Sequence, residues 1–320
     1  MAGGFRKIFD EILYRRKMVE IVQRQTTIAN ICAALDLECA GGNTIINGLN
    51  LCNRESEYDR ILTYVTSDQY VETIEGNSAV KAIVLSEKLL PIYQALIQKK
   101  KLSYILSNQS EKVFYDIHDY LIEHTDFYDK FDFPTVIQQN CNIAPSAVIE
   151  KGVVIGENVT VGANTVIRSG TVICNNCYIG CNTTIGSEGF QILRVEGKNR
   201  KVPHCGGVWL GDDVSVGDNV TICKSLFEGA TRIGRNVMID NLSYIAHLVS
   251  IGENAVITAG NMLCGSSCIE KGAWVGVNCS VLNRVKVGRF SKVGMGSVVT
   301  RDIPENALAY GVPAKVKGQV

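Results

Sequence analysis

His247 lies in the run Ile245-Ala246-His247-Leu248-Val249, two places after an aliphatic residue that belongs to a six-residue repeat. That phase makes its ring project outward at a corner, where an imidazole is accessible to a substrate. Seven residues earlier Asp240 follows Ile239, and a turn or a neighbouring subunit can bring its carboxylate to the ring. A carboxylate that orients imidazole and stabilises its charged form makes a histidine a general base near neutral pH. A surface histidine outside such a setting is a bystander, and spacing alone leaves both readings open. Of the chain's other three histidines, His118 and His124 fall in a polar helical stretch and His204 in a basic loop, which makes them weaker candidates.

Two further groups have spacing of chemical interest. Tyr64 and Tyr70 stand six apart around the polar turn Thr66-Ser67-Asp68-Gln69. Rings so placed can close on a planar base and supply stacking energy without charge; the alternative is that they are ordinary core aromatics. Cys174-x2-Cys177-x3-Cys181 has the spacing of metal ligands, yet a closed zinc site needs a fourth ligand and a second turn to present it. The chain has 12 cysteines, but its size and the charged amino end (Arg6, Lys7, Asp10, Glu11) do not suit a small secreted disulfide scaffold, so reduced thiols are expected.

The elements that must position these residues are set by a period of six. Aliphatic residues recur at Ile143, Ile149, Ile155, Val161, Ile167, Ile173, Ile179 and Ile185, return at Leu210, Val216 and Ile222, and resume from Ile233 to Val299. Four places after each, the side chain is usually small or β-branched, as at Thr165, Cys177, Ser243, Ser267 and Cys279. One large and one small inward residue per hexapeptide describes a narrow prism of short parallel strands, three hexapeptides to the coil. Cys177 and Cys279 then pack inside as small hydrophobes rather than as metal ligands. Coils stacked at roughly 4.8 Å leave no room for a ligand within, so function is expected on outer faces, at corners or on inserted loops. Flat faces of stacked strands also tend to pair with a neighbour.

The period breaks twice. Between Ile185 and Leu210 lie Ser187-Glu188-Gly189-Phe190-Gln191 and then Arg194, Lys198, Arg200, Lys201 and His204; between Ile222 and Ile233 lie Lys224 to Gly229. A repeat interrupted by a polar, basic loop has done so for a ligand or partner, or merely tolerates a surface insertion. Around the prism, expected over 136–303, the chain divides into an N-terminal helix over 1–25, a small α/β domain over 26–135 and a tail over 304–320 whose prolines interrupt strand structure. Lys+Arg 32 against Asp+Glu 32 gives a formal net charge of +0, so no global field draws the chain to nucleic acid or an anionic membrane. Apolar runs such as Ala82-Ile83-Val84-Leu85 are too short to span a bilayer, and a soluble cytoplasmic protein with no transmembrane segment is expected.

In this order the pieces resemble the UDP-3-O-acylglucosamine N-acyltransferases of bacterial lipid A and lipopolysaccharide synthesis, within the hexapeptide acyltransferase superfamily. The resemblance covers most of residues 26–316. It is carried by Tyr64 and Tyr70, by Asn142 to Ile149 opening the prism, by Gly186-Ser187-Glu188-Gly189-Phe190, and most specifically by Ile239-Asp240-Asn241 through Ile245-Ala246-His247 to Ile251-Gly252-Glu253-Asn254. It implies a mainly β fold with a left-handed parallel β-helix and an N-terminal α/β domain, a homotrimer with active sites between subunits, and acyl transfer from a thioester to a sugar amine. It makes His247 the general base and Asp240 its orienting partner, with Tyr64 and Tyr70 on the uracil of a UDP-sugar. Asn241, Gly189 and Phe190 would line the acceptor site. Where the family carries a second active-site histidine this sequence has Arg284, the position for an oxyanion or phosphate contact. The family's C-terminal helical extension has no counterpart after Val316, and Gly311-Val312-Pro313-Ala314-Lys315 resembles coenzyme-A-dependent acetyltransferases instead. The donor is therefore open between acyl carrier protein and acyl-CoA, with no permanently bound cofactor and no metal.

Two alternatives stand beside that reading. One is an acetyl-CoA-dependent N-acetyltransferase of a dTDP- or UDP-amino sugar for surface polysaccharide; the other is a non-catalytic hexapeptide scaffold subunit. A metal-dependent hydratase of the gamma-class carbonic anhydrase kind needs about three converging histidines, and the prism with its loop offers only His204 and His247.

Overall fold

A computed structural model describes residues 24–54, 56, 58–227 and 229–320, so residues 1–23 of the expected N-terminal helix lie outside the described residues. The chain forms two compact units, one of residues up to 130 together with 190–205, the other of 131–189 together with 206–320.

The first unit is a five-stranded sheet with helices. Strand β1 (Thr26–Thr27) leads into α1 (Ile28–Leu35), whose first turn is capped by the Thr27 hydroxyl accepting the Asn30 N–H at 3.1 Å. Strands β2 (Cys39–Ala40), β3 (Ile45–Ile46), β4 (Gly48–Leu49), β5 (Ile61–Tyr64), β6 (Val80–Leu85) and β7 (Ser103–Leu106) follow; the sheet runs β2-β7-β6-β5-β4, antiparallel only between β2 and β7. Ala82 to Leu85 in β6 are fully buried, as a parallel strand covered on both faces requires. Helices α2 (Val71–Gly76), α3 (Leu90–Lys100) and α4 (Ser110–His124) complete the α/β core. The interruption after Ile185 is an antiparallel hairpin, Ile192–Val195 against Lys198–Lys201, and it belongs to this unit.

The second unit is the prism. Three sheets start at Val136–Ile137 (face one), Asn142–Ile143 (face two) and Val148–Ile149 (face three), and hold eight, ten and eight strands. Apart from the last strand of face two, each strand pairs parallel with its successor one coil on, as Ser250 does with Cys268 eighteen residues later. Aliphatic residues stack in register up each face: Ile155, Ile173, Leu210, Ile233, Ile251, Ile269 and Val287 on face one are all buried. This is the left-handed parallel β-helix of hexapeptide repeats. The small inward residues serve a second purpose, because their short donors reach carbonyls of the next coil: Thr165 to Gly180 at 2.5 Å, Thr183 to Gly217 at 2.8 Å, Cys177 to Gly211 at 3.1 Å and Cys279 to Gly294 at 3.2 Å. These four buried donors are thereby satisfied.

The C-terminal segment departs from the expected tail. Ala307–Gly311 extends face two by pairing with Lys292–Val293, and Ala314–Gln319 folds back on it antiparallel. Pro313 stays in the turn between the two strands, so it removes no ladder hydrogen bond. No helix among the described residues is long and apolar enough to cross a membrane.

Candidate functional site

The prism has three edges, and they differ. Two carry left-handed residues that are mostly asparagine, such as Asn158, Asn176, Asn236 and Asn254 between faces one and two, and Asn164, Asn182 and Asn278 between faces two and three. Their amides stack from coil to coil, as Asn158 on Asn176 at 3.0 Å and Asn236 on Asn254 at 2.8 Å. Asparagine tolerates this backbone better than most residues. The edge from face three to face one is different, carrying Leu248, Ser266 and Arg284 in successive coils at φ of +59°, +61° and +65°. Both breaks in the repeat fall on this edge: Thr171 pairs with Val208 thirty-seven residues on, and Gly207 with Ala230 twenty-three on, where a regular coil takes eighteen. Irregular backbone gathered at one place marks a candidate site.

His247 is on this edge, half-buried, after the face-three strand Tyr244–Ile245. The backbone on either side of it is held in place: Leu248 N–H donates to Thr231 Oγ1 at 2.9 Å, and the His247 carbonyl accepts Ser266 N–H at 2.9 Å. One coil above, Gly265 sits against the ring; a β-carbon there would fall 2.6 Å from His247 Nε2 and 2.7 Å from Cε1. The imidazole therefore lies on bare backbone that only glycine leaves open. Sequence reading missed Gly265, although its signal is simple: it stands one coil length after His247. Arg284 is exposed, one coil further up the same edge, and its N–H donates to the Gly265 carbonyl at 3.2 Å.

Asp240 and Asn241 occupy the next edge instead, between faces two and three. Asp240 is exposed and accepts the Asn241 N–H at 2.7 Å, while Asn241 Oδ1 accepts the Asp218 N–H at 2.6 Å. Within one chain a face-three strand thus separates Asp240 from His247. Gly189 is buried at the root of the hairpin, and Phe190 beyond it is 76% exposed.

In the α/β unit, Tyr64 ends β5 and is half-buried. Its hydroxyl donates to Glu111 Oε1 at 2.9 Å, and its ring packs against Phe114 and Tyr115 with centroids 5.1 and 6.1 Å away. Burial, then the neighbouring Tyr115 and Glu111, hold its phenol well above the usual range. Tyr70 follows in a short 3-10 turn and packs partly on the core around Tyr93. Behind this region Thr66, Gln109, Ser110, Leu193 and Arg194 help line a cavity of about 310 Å³ between the start of α4 and the hairpin.

The basic loop is less free than its composition suggests. Arg200 forms ion pairs with Asp116 at 2.6 Å and with Asp119, both on α4. His118, placed by sequence in a polar stretch, is fully buried: Pro203 O can only accept, so Nε2 carries the proton and donates at 2.9 Å, leaving Nδ1 to accept from the Tyr128 hydroxyl at 2.7 Å. His204 is likewise buried in the folded hairpin region, whereas His124 is exposed beside Glu123 at 3.7 Å. Burial also pushes the Cys174 and Cys177 thiols up to about 12, which keeps them protonated. Among the described residues no three His, Cys, Asp or Glu side chains converge as metal ligands would.

The fold is that of a hexapeptide-repeat parallel β-helix, and family models match parts of it. The family "Bacterial transferase hexapeptide (six repeats)" matches residues 134–169 and 152–187, and "Hexapeptide repeat of succinyl-transferase" matches 268–301. More particularly, a segment of the chain is similar to proteins named UDP-3-O-acylglucosamine N-acyltransferase, in keeping with the resemblance read from its sequence. That from Methylorubrum extorquens strain PA1 is 37% identical over 134 residues, 41% of this chain and 37% of the relative. That from Campylobacter lari is 35% identical over 128 residues, 40% of each. The matched segment thus spans well under half of the length of these relatives. Among solved structures, a UDP-N-acetylglucosamine acyltransferase from Campylobacter jejuni is 23% identical with a TM-score of 0.49, covering 58% of this chain and 73% of that one.

Proposed function

We propose that the protein is an N-acyltransferase that moves an acyl group from a thioester to the amine of a nucleotide-activated amino sugar, with His247 as general base. The observation that carries the reading is the imidazole on the irregular edge with its Nε2 against the bare backbone of Gly265; the relatives' names support the chemistry. Neutral imidazole takes the proton as the sugar nitrogen forms its bond to the thioester carbonyl. The carbon–sulfur bond then breaks, and the departing thiolate recovers that proton from the imidazolium. The Gly265 N–H is the candidate donor to the tetrahedral oxyanion. Arg284 lies further along the edge as an oxyanion or phosphate contact.

Asp240, supplied by a neighbouring subunit of a homotrimer, orients the imidazole in this reading. Asn241, Gly189 and Phe190 line the acceptor, and Tyr64 and Tyr70 hold the base. The donor is acyl-CoA or acyl carrier protein. The test is mass-spectrometric detection of acylated product from a UDP-amino sugar and either donor. His247→Ala is expected to cut turnover by roughly 10²–10⁴-fold, and wild-type-like turnover removes His247 from the mechanism.

One observation favours the scaffold reading: Tyr64 is committed to Glu111 and Phe114, as a core aromatic would be. Saturation-transfer NMR with uridine nucleotides separates the two, since a scaffold predicts no contact at Tyr64 or Tyr70.

A further inference from the structure

The two breaks in the repeat begin at residues that are bonded to each other. Glu188 starts the first insertion and Lys224 the second, and Lys224 Nζ lies 2.7 Å from Glu188 Oε1 with side chains 23% and 32% exposed. Two further contacts join the same points: the backbone Lys224 N–H donates to Ser187 O at 2.9 Å, and the Cys223 thiol approaches Glu188 O at 3.7 Å. Lys224 follows Thr221–Cys223, and Thr221 and Ile222 pair with Tyr244 and Ile245, the strand that leads into His247. The ion pair therefore sits on the His247 edge, joining Lys224, one coil below the base, to Glu188, two coils below it.

We propose that the Glu188–Lys224 pair is a positioning strut for the acceptor loop, fixing Ser187-Glu188-Gly189 to the coil beneath His247; this rests on the acyltransfer reading. A chain leaving a regular coil has lost the ladder hydrogen bonds that would hold it, and a half-buried ion pair between the two exit points replaces part of that restraint. Because Lys224 is neutralised by Glu188, its part is to hold the loop rather than to attract an anionic substrate.

The test uses the full chain with Lys224→Met, Glu188→Gln, the double variant and Lys224→Arg. Hydrogen exchange at residues 187–190 and the KM values for amino sugar and donor are measured. Each single variant is expected to speed exchange and raise the amino-sugar KM roughly three- to tenfold, with the donor KM within about twofold. The double variant should be no worse than either single, and Lys224→Arg should restore both readouts. Unchanged exchange, additive singles, an effect of Lys224→Met alone, or equal loss toward both substrates would each overturn the proposal. If the wild type transfers no acyl group, the acyltransfer reading fails separately and the exchange arm alone decides the strut.

Discussion

An imidazole laid on the backbone of the next coil ties a catalytic proposal to one missing methyl group. Gly265→Ala places a β-carbon within 2.6 Å of His247 Nε2, closer than any non-bonded contact allows, so the ring must swing away. Turnover is expected to fall by about two orders of magnitude. In a His247→Ala background the same change should leave the melting temperature unaltered, because the clashing ring is gone; a matching loss there would show that Gly265 serves the coil and not the base. His247 was legible in the sequence because its phase within the hexapeptide places it outward. Gly265 became legible only once the coil length was known, since its partner is eighteen residues away. Tyr64 was legible only in part: its spacing from Tyr70 is local, but the engagement of its hydroxyl and ring by α4 is not, because no local pattern ties that helix to it.

The inserted hairpin is held by two fastenings on α4, Arg200 with Asp116 and Asp119, and His118 with Pro203. Burial holds the His118 pKa below its ordinary 6.5, outweighing the hydrogen bond to Pro203. The unfolded chain therefore binds this proton more readily than the folded one. Stability from this group is complete above the unfolded value and declines as pH falls below about 6.5, by at most about 1.4 kcal/mol per pH unit. The apparent Tm should drop between pH 7.5 and 5.5, and His118→Gln should flatten that slope; an unchanged slope would assign the acid sensitivity elsewhere. The ends of the insertion were readable, because a broken period announces itself. Its return to the α/β unit was not, because the joining contacts span more than eighty residues.

Across the prism, Tyr178, Met238 and Trp274 are in register on face two, with Ser215 and Val256 between them, and each is 45–48% exposed. An apolar stripe on a flat sheet suits a subunit interface, and the proposed homotrimer supplies one. Trp274→Glu is expected to convert the trimer to monomer in light scattering after size exclusion. A wild-type monomer, or a variant that stays trimeric, would move the interface to another face.

The hexapeptide phase by itself determined the coil, the inward residues and the outward aim of His247, because the side-chain pattern of a short strand and its corner is local in the chain and needs only repetition. Tertiary structure alone decided that both insertions and His247 share one edge, that Gly265 lies against the imidazole, and that Glu188 meets Lys224. Those relations depend on how many residues each coil takes, and the two coils that carry the insertions take more than eighteen. Stacking converts such differences in length into neighbours in space.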